Sequence, residues 1–152
     1  MQVLLKSCAT VNVQDKIGWT PMHNAARVGS IEAMEFLLQS GAKMDCRDFD
    51  HWLPLHVAIR FNFPSAVSFL LDKGSDINAQ DKEGWTGLHN AARHGHLGLA
   101  DMLLQRGINV FKLNRYSETA LHVASRKGKM KVKERLSCAA YLTGSSRLSR
   151  DY

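Results

Sequence analysis

Apolar and polar positions follow a rhythm along this chain that predicts short helices separated by turns. Ile31, Met34, Phe36, Leu37 and Leu38 recur at helical spacing, and Gly41 follows them as a stop. Upstream, Asp15, Lys16, Ile17 and Gly18 have turn chemistry. Thr20 can cap a helix whose first residue is Pro21, and Gly29 can end that helix in the left-handed conformation. The pattern predicts one unit: a turn, a short helix, a second helix packed beside it, and a loop.

The unit recurs every 33 residues. His23, His56, His89 and His122 fall in one column, as do Asp15, Asp48, Asp81 and Asn114, and the pairs Leu37-Leu38, Leu70-Leu71 and Leu103-Leu104. A gapless period of this kind marks a stack in which each unit buries its apolar face against the next.

The successive segments DKIGWTPMHNAARVG, DFDHWLPLHVAIRFN, DKEGWTGLHNAARHG and NRYSETALHVASRKG resemble the ankyrin repeat, and the likeness runs from residue 15 to about residue 136. The resemblance implies an all-α solenoid of stacked helix-turn-helix units, with turns projecting as β-hairpin fingers and a concave face made by those turns and the first helices. On that division residues 1–14 form a partial N-terminal repeat. Residues 15–47, 48–80 and 81–113 form three repeats, 114–142 a divergent C-terminal repeat or cap, and 143–152 a polar, disordered tail. Leu4 and Leu5 align with the end of a second helix, and Cys8 stands in the column of Gly41, Gly74 and Gly107, so a fragment or truncated isoform is expected. In the last repeat Lys133 and Ser137 replace apolar residues, as the outer face of a cap would require.

Composition narrows the functional classes. A chain that is 45% hydrophobic and 22% charged can bury a core, and no run approaches the roughly 18 apolar residues of a membrane helix. The three cysteines have no C-x-x-C spacing, which speaks against a disulfide framework or a zinc site and for a reducing cytoplasmic or nuclear setting. The net charge of +6 sits after residue 113. There Arg126, Lys127, Lys129, Lys131, Lys133 and Arg135 read either as a solvated capping helix or as a nucleic-acid or nuclear-import patch at 126–135, and no aromatic residue interleaves the run.

The four histidines cannot share a metal, because equivalent positions on stacked helices lie roughly 8–10 Å apart. The resemblance implies instead that they bond neighbouring backbone and tie finger to helix. No nucleophile–base–orienter set and no phosphate loop is legible, so no catalytic residue, metal or cofactor is expected. Function then falls to positions the fold leaves open. Trp19, Trp52 and Trp85 follow the turn position, and Arg27, Arg60 and Arg93 end the first helices; on the family geometry both columns face the groove. Phe49 and Phe61 add aromatic area in the second repeat, where His51, Leu53 and Asn62 replace the usual Gly, Thr and Gly. Tryptophan and arginine dominate protein-binding hot spots, so the expectation is a groove for a protein partner, with the arginines reading acidic groups or carbonyls. The molecule is expected to be a monomer able to associate through uncapped ends. A regulatory segment of a larger enzyme or channel is the remaining reading. Leu71, Asp76 and Asn78 match the context in which ankyrin repeats are hydroxylated on asparagine, which marks Asn78 as a candidate.

Overall fold

The computed structural model describes the backbone of residues 11–150 and side chains through Thr143. Most of the partial N-terminal repeat, with Cys8, therefore lies outside the described residues, as do residues 151 and 152 of the tail.

Eight helices form among the described residues: α1 (Pro21–Val28), α2 (Ile31–Gln39), α3 (Pro54–Arg60), α4 (Pro64–Asp72), α5 (Gly87–His94), α6 (Leu97–Gln105), α7 (Ala120–Arg126) and α8 (Met130–Arg150). The first helices stack in the order α1, α3, α5, α7, and the second helices stack behind them as α2, α4, α6, α8. The core lies between the two rows. Met22, Leu55 and Leu88 fill it from the front row, and Met34, Leu70, Leu99, Leu103 and Leu136 from the back. These are the positions the helical periodicity marks, because one stripe of each helix must leave water. In α8 the column of Met34, Val67 and Ala100 is taken by half-buried Lys133, and Ser137 is exposed, so the outer face of the last repeat is polar.

The projecting fingers are turns rather than β-hairpins, a correction to the sequence expectation. Each is closed by two backbone bonds at its first residue: the amide of that residue donates to the carbonyl four residues on, Asp15 to Trp19 (2.9 Å), Asp48 to Trp52 (3.0 Å), Asp81 to Trp85 (2.9 Å) and Asn114 to Glu118 (3.0 Å), and its carbonyl accepts the amide three residues on, from Gly18, His51, Gly84 and Ser117 (each 3.0 Å). One backbone bond links each finger to the next, from Phe49 to Ile17 (3.2 Å), Lys82 to Asp50 (3.0 Å) and Arg115 to Glu83 (2.8 Å). One bond per junction is too few for a strand ladder, and no strand is present among the described residues.

The second repeat keeps the stack's geometry despite its substitutions. His51 (φ 64°) and Asn62 (φ 61°) hold the left-handed conformation that Gly18 and Gly29 hold in the first repeat. Leu53, in the place of the capping threonine, is only 4% exposed and packs in the core. Its amide is still taken up, by His56 Nδ1 at 3.0 Å. Burial of the leucine thus offsets the lost hydroxyl. Phe63 is partly buried against the core and lies over Gly29.

The tail differs from expectation. Residues 143–150 continue α8 instead of forming a disordered segment, with the Thr143 hydroxyl donating to the Ala139 carbonyl at 2.8 Å. Residues 130–150 contain no proline to stop the helix once it has started.

Candidate functional site

The fingers and the front helices enclose an open concavity of about 540 Å³. Of the expected set, Trp19, Trp52, Arg60, Trp85 and Arg93 line it, whereas Arg27, Phe49 and Phe61 lie outside its lining. Phe49 and Phe61 remain exposed, at 60% and 43%. Four residues that the sequence reading did not single out complete the wall on the finger side: Asp50, Lys82, Glu83 and Arg115. Each sits on a finger tip, a position that the repeat pattern leaves variable.

The tryptophans have a second task. Trp19 Nε1–H donates to Asp48 Oδ2 (3.0 Å), and Trp52 Nε1–H donates to Asp81 Oδ2 (3.0 Å), so each indole bolts its finger to the next one. The other oxygen of each aspartate accepts the amides of its own turn: Asp48 Oδ1 those of Asp50 and Trp52, and Asp81 Oδ1 those of Glu83 and Trp85. Both carboxylate oxygens are therefore committed to the fold. At the third junction the partner is Asn114, which has one oxygen only, and that oxygen is taken by the amides of Tyr116 and Glu118. Trp85, 7% exposed, is left with its Nε1–H buried and without an acceptor. The tryptophan thus persists one repeat beyond the last aspartate that could receive it.

The histidine column is likewise structural. Nδ1 of His23, His56 and His89 accepts the amide of the N-cap residue Thr20 (3.1 Å), Leu53 (3.0 Å) or Thr86 (3.1 Å). Nε2–H then donates to a backbone carbonyl: for His23 and His89 one of the next repeat, Trp52 (2.9 Å) and Glu118 (2.9 Å), and for His56 that of Ala79 at the end of its own repeat (3.0 Å). Both ring nitrogens are occupied by backbone, which fixes the neutral tautomer. Burial lowers the pKa of all three below the ordinary imidazole value, against the raising effect of the carbonyl bonds. His122, in the last repeat, is exposed.

What remains for a partner is the arginine row. The Arg60 guanidinium lies over the Trp52 ring at 5.4 Å and the Arg93 guanidinium over the Trp85 ring at 5.6 Å, within the range of a cation–π contact. Arg60 also lies 5.7 Å from the Phe61 ring, which places that exposed aromatic at the edge of the same site. The fourth member of the row is turned inward. Glu118, standing where a tryptophan stands in the other repeats, accepts from Arg126 Nε (3.0 Å) and Nη2 (3.3 Å). Arg126 and then Asn114 hydrogen-bond the Glu118 carboxylate and hold it below its ordinary pKa.

Asn78 is half-buried and bridges two loops, its Oδ1 accepting the Asn109 amide at 2.8 Å while its own amide donates to Asp76 Oδ1 at 2.9 Å. In the basic segment 126–135, Arg126 pairs with Glu118 and Arg135 with Asp101 (2.8 Å), and Lys129 lies along Gly95. Two of its six cations are thus neutralised within the fold. No described residues form a group of three or more metal-ligating side chains, and no helix of the described residues is long and apolar enough to cross a membrane.

A family model for ankyrin repeats in three copies matches residues 1–81, and one for ankyrin repeats in many copies matches 64–104 and 92–143. The chain belongs to the ankyrin repeat family, whose members are in general protein–protein interaction modules and typically non-catalytic. No curated protein matches the chain significantly.

Proposed function

We propose that this protein is a non-catalytic interaction module that holds a partner protein in the concavity between fingers and front helices, with Arg60 and Arg93 as its principal contacts. The observation that carries the reading is the pair of exposed guanidinium groups stacked on Trp52 and Trp85 in one concavity, in a fold that commits the buried histidines and the indole N–H groups of Trp19 and Trp52 to its own joints. A guanidinium held by an aromatic face loses less rotamer freedom when it binds, so its hydrogen bonds are worth more. The internal pairing of Arg126 and Arg135 counts against a nucleic-acid reading of the last helix. The test is quantitative capture from cell lysate with the wild-type chain, the Arg60→Ala/Arg93→Ala double variant and Lys131→Ala. Proteins held by wild type and Lys131→Ala but lost from the double variant support the groove. Retention by the double variant with loss from Lys131→Ala moves the site to the last helix.

A further inference from the structure

The turns that join the two helices of each repeat lie at the far ends of the first helices from the fingers. They read RVGSI at 27–31, RFNFP at 60–64, RHGHL at 93–97 and RKGKM at 126–130, and none contains an acidic residue. Six of the chain's 20 basic residues stand in them, Arg27, Arg60, Arg93, Arg126, Lys127 and Lys129, and the other 14 are matched by its 14 acidic residues. Taken by place in the fold rather than along the chain, the excess of +6 equals the charge of this one edge. Among the described residues only Arg126 of the six has a carboxylate within ion-pair distance. Burial, and then the charges of His96, Arg93, Arg60 and Lys129, lower the pKa of His94, a sign of how closely the cations crowd there.

The edge is preformed. The third residue of each turn is left-handed, Gly29 (φ 69°), Asn62 (61°), Gly95 (72°) and Gly128 (68°), and the fourth donates its amide to the carbonyl five residues back at 2.9–3.1 Å. Adjacent turns touch: Phe63 lies over Gly29, His96 Nε2–H donates to the Arg60 carbonyl at 3.1 Å, and Lys129 lies along Gly95. Each turn also exposes one large apolar side chain, Val28, Phe61, Leu97 or Met130, by between 37% and 56%. Phe61, beside Arg60, borders the concavity, and the other three are aliphatic.

Charge sign and side-chain type select the occupant. A protein partner presents both signs of charge and is met by both, as the fingers do with Asp50, Lys82, Glu83 and Arg115, whereas the turns carry one sign only. A nucleic acid is as negative as a lipid surface, but its bases stack on aromatic rings, and Val28, Leu97 and Met130 have none to offer. Single apolar tips set in a row of cations match a bilayer surface, where anionic headgroups meet the cations and the tips enter the acyl boundary. We propose that this row of turns lays the protein on an anionic phospholipid bilayer, with Lys127 and Lys129 among the headgroups and Leu97 and Met130 at the acyl boundary. Such an edge lies on the membrane and needs no spanning helix.

The experiment is co-sedimentation of the full chain with vesicles of phosphatidylcholine alone or with about 40% phosphatidylserine, in about 0.1 M salt. Partitioning onto the anionic vesicles should be at least about tenfold the stronger, since each basic residue near such a surface is worth about fivefold. Lys127→Ala/Lys129→Ala should lose at least about tenfold, whereas Lys82→Ala/Arg115→Ala, the same loss of charge on the fingers, should stay within about twofold. Leu97→Ser/Met130→Ser should lose at least about threefold with the charge unchanged. Thermal melts establish that the variants are folded. Met130→Trp adds a reporter of orientation. Brominated acyl chains should quench the added fluorescence and spare that of wild type, because Trp19, Trp52 and Trp85 lie at the finger ends of helices about 10–12 Å long. Equal partitioning onto both kinds of vesicle or onto neither, an equal loss from the finger variant, full retention by Leu97→Ser/Met130→Ser, or quenching of the native tryptophans would each overturn the proposal. Polyglutamate or an RNA oligonucleotide held by wild type and released by Lys127→Ala/Lys129→Ala, with no vesicle binding, would overturn it too and assign the edge to an acidic polypeptide or a nucleic acid.

Discussion

Replacing Trp52 and Trp85 by phenylalanine, one at a time, separates the indole's bond from its buried area. Trp85 is the more buried of the two, only 7% exposed, so area alone predicts that Trp85→Phe is the more damaging change. The hydrogen bonds predict the reverse. Either substitution removes roughly 30–40 Å² of apolar surface, about 1 kcal/mol. Trp52→Phe also deletes the 3.0 Å bond to Asp81 Oδ2 and leaves that oxygen without its indole donor, which adds about 1–2 kcal/mol for a bond to a charged group at a half-buried site. Trp85→Phe deletes a donor that has no acceptor, and so returns about 1–3 kcal/mol of desolvation penalty. The expected totals are about 2–3 kcal/mol of destabilisation for Trp52→Phe and within about 1 kcal/mol of zero, or a gain, for Trp85→Phe. At roughly 2–4 °C per kcal/mol for a chain of this size, the melting temperatures of the two variants should differ by about 4–20 °C. Urea and thermal unfolding followed by far-UV circular dichroism measure this without depending on indole fluorescence. Trp85→Phe proving more destabilising than Trp52→Phe would refute the idea that the Asp-to-Asn change at position 114 orphans the third indole.

His51→Gly should raise stability by about 0.5–1 kcal/mol, because His51 is exposed and held at φ 64°, where glycine carries no Cβ penalty; an unchanged or lower urea midpoint contradicts this. Gly29→Ala should cost more than Gly128→Ala although the two φ values are +69° and +68°, because the new Cβ at position 29 meets Phe63 Cδ1 at 2.5 Å and the one at 128 meets nothing within 4 Å; equal costs would show that Phe63 moves freely. The buried histidines 23, 56 and 89 have folded-state pKa values lowered by burial, so below the unfolded value of about 6.5 the unfolded chain binds more protons than the folded one. Their contribution is whole above that pH and is lost as pH falls from it toward the folded-state values, so the urea midpoint should drop between about pH 7 and pH 5.5, and a flat profile contradicts the neutral assignment.

The period of 33 residues made the stack, the two helices per repeat and the buried columns legible, because a helix that buries one stripe must repeat it at 3.6-residue spacing. The role of the histidines was legible too, though only through the family resemblance; the particular carbonyls that they bond, at Trp52, Ala79 and Glu118, are invisible along the chain. The tryptophan column was legible as a column but not as a joint. Its partner lies 29 residues on, at Asp48 for Trp19 and Asp81 for Trp52, so the pair shows only when two columns of different repeats are compared. The finger-side wall of Asp50, Lys82, Glu83 and Arg115 was missed because variable turn residues carry no periodic signal. The tail from residue 143 was misjudged on composition, since serine, arginine and glycine suggest disorder in isolation but can extend a helix already nucleated by the packing of Val132, Leu136 and Ala139.

Site-specific photo-crosslinking inside cells tests the central claim most directly, that a partner protein sits against the arginine row. p-Benzoylphenylalanine introduced in place of Phe61 keeps an aromatic ring at a 43% exposed position beside Arg60, and the same group in place of Tyr141 samples a 76% exposed position on the last helix. The account predicts a discrete adduct with another polypeptide from position 61, reduced when Arg93 is also changed to Ala, and none from position 141. An adduct from position 141 with none from position 61 would contradict it and place the interaction on α8.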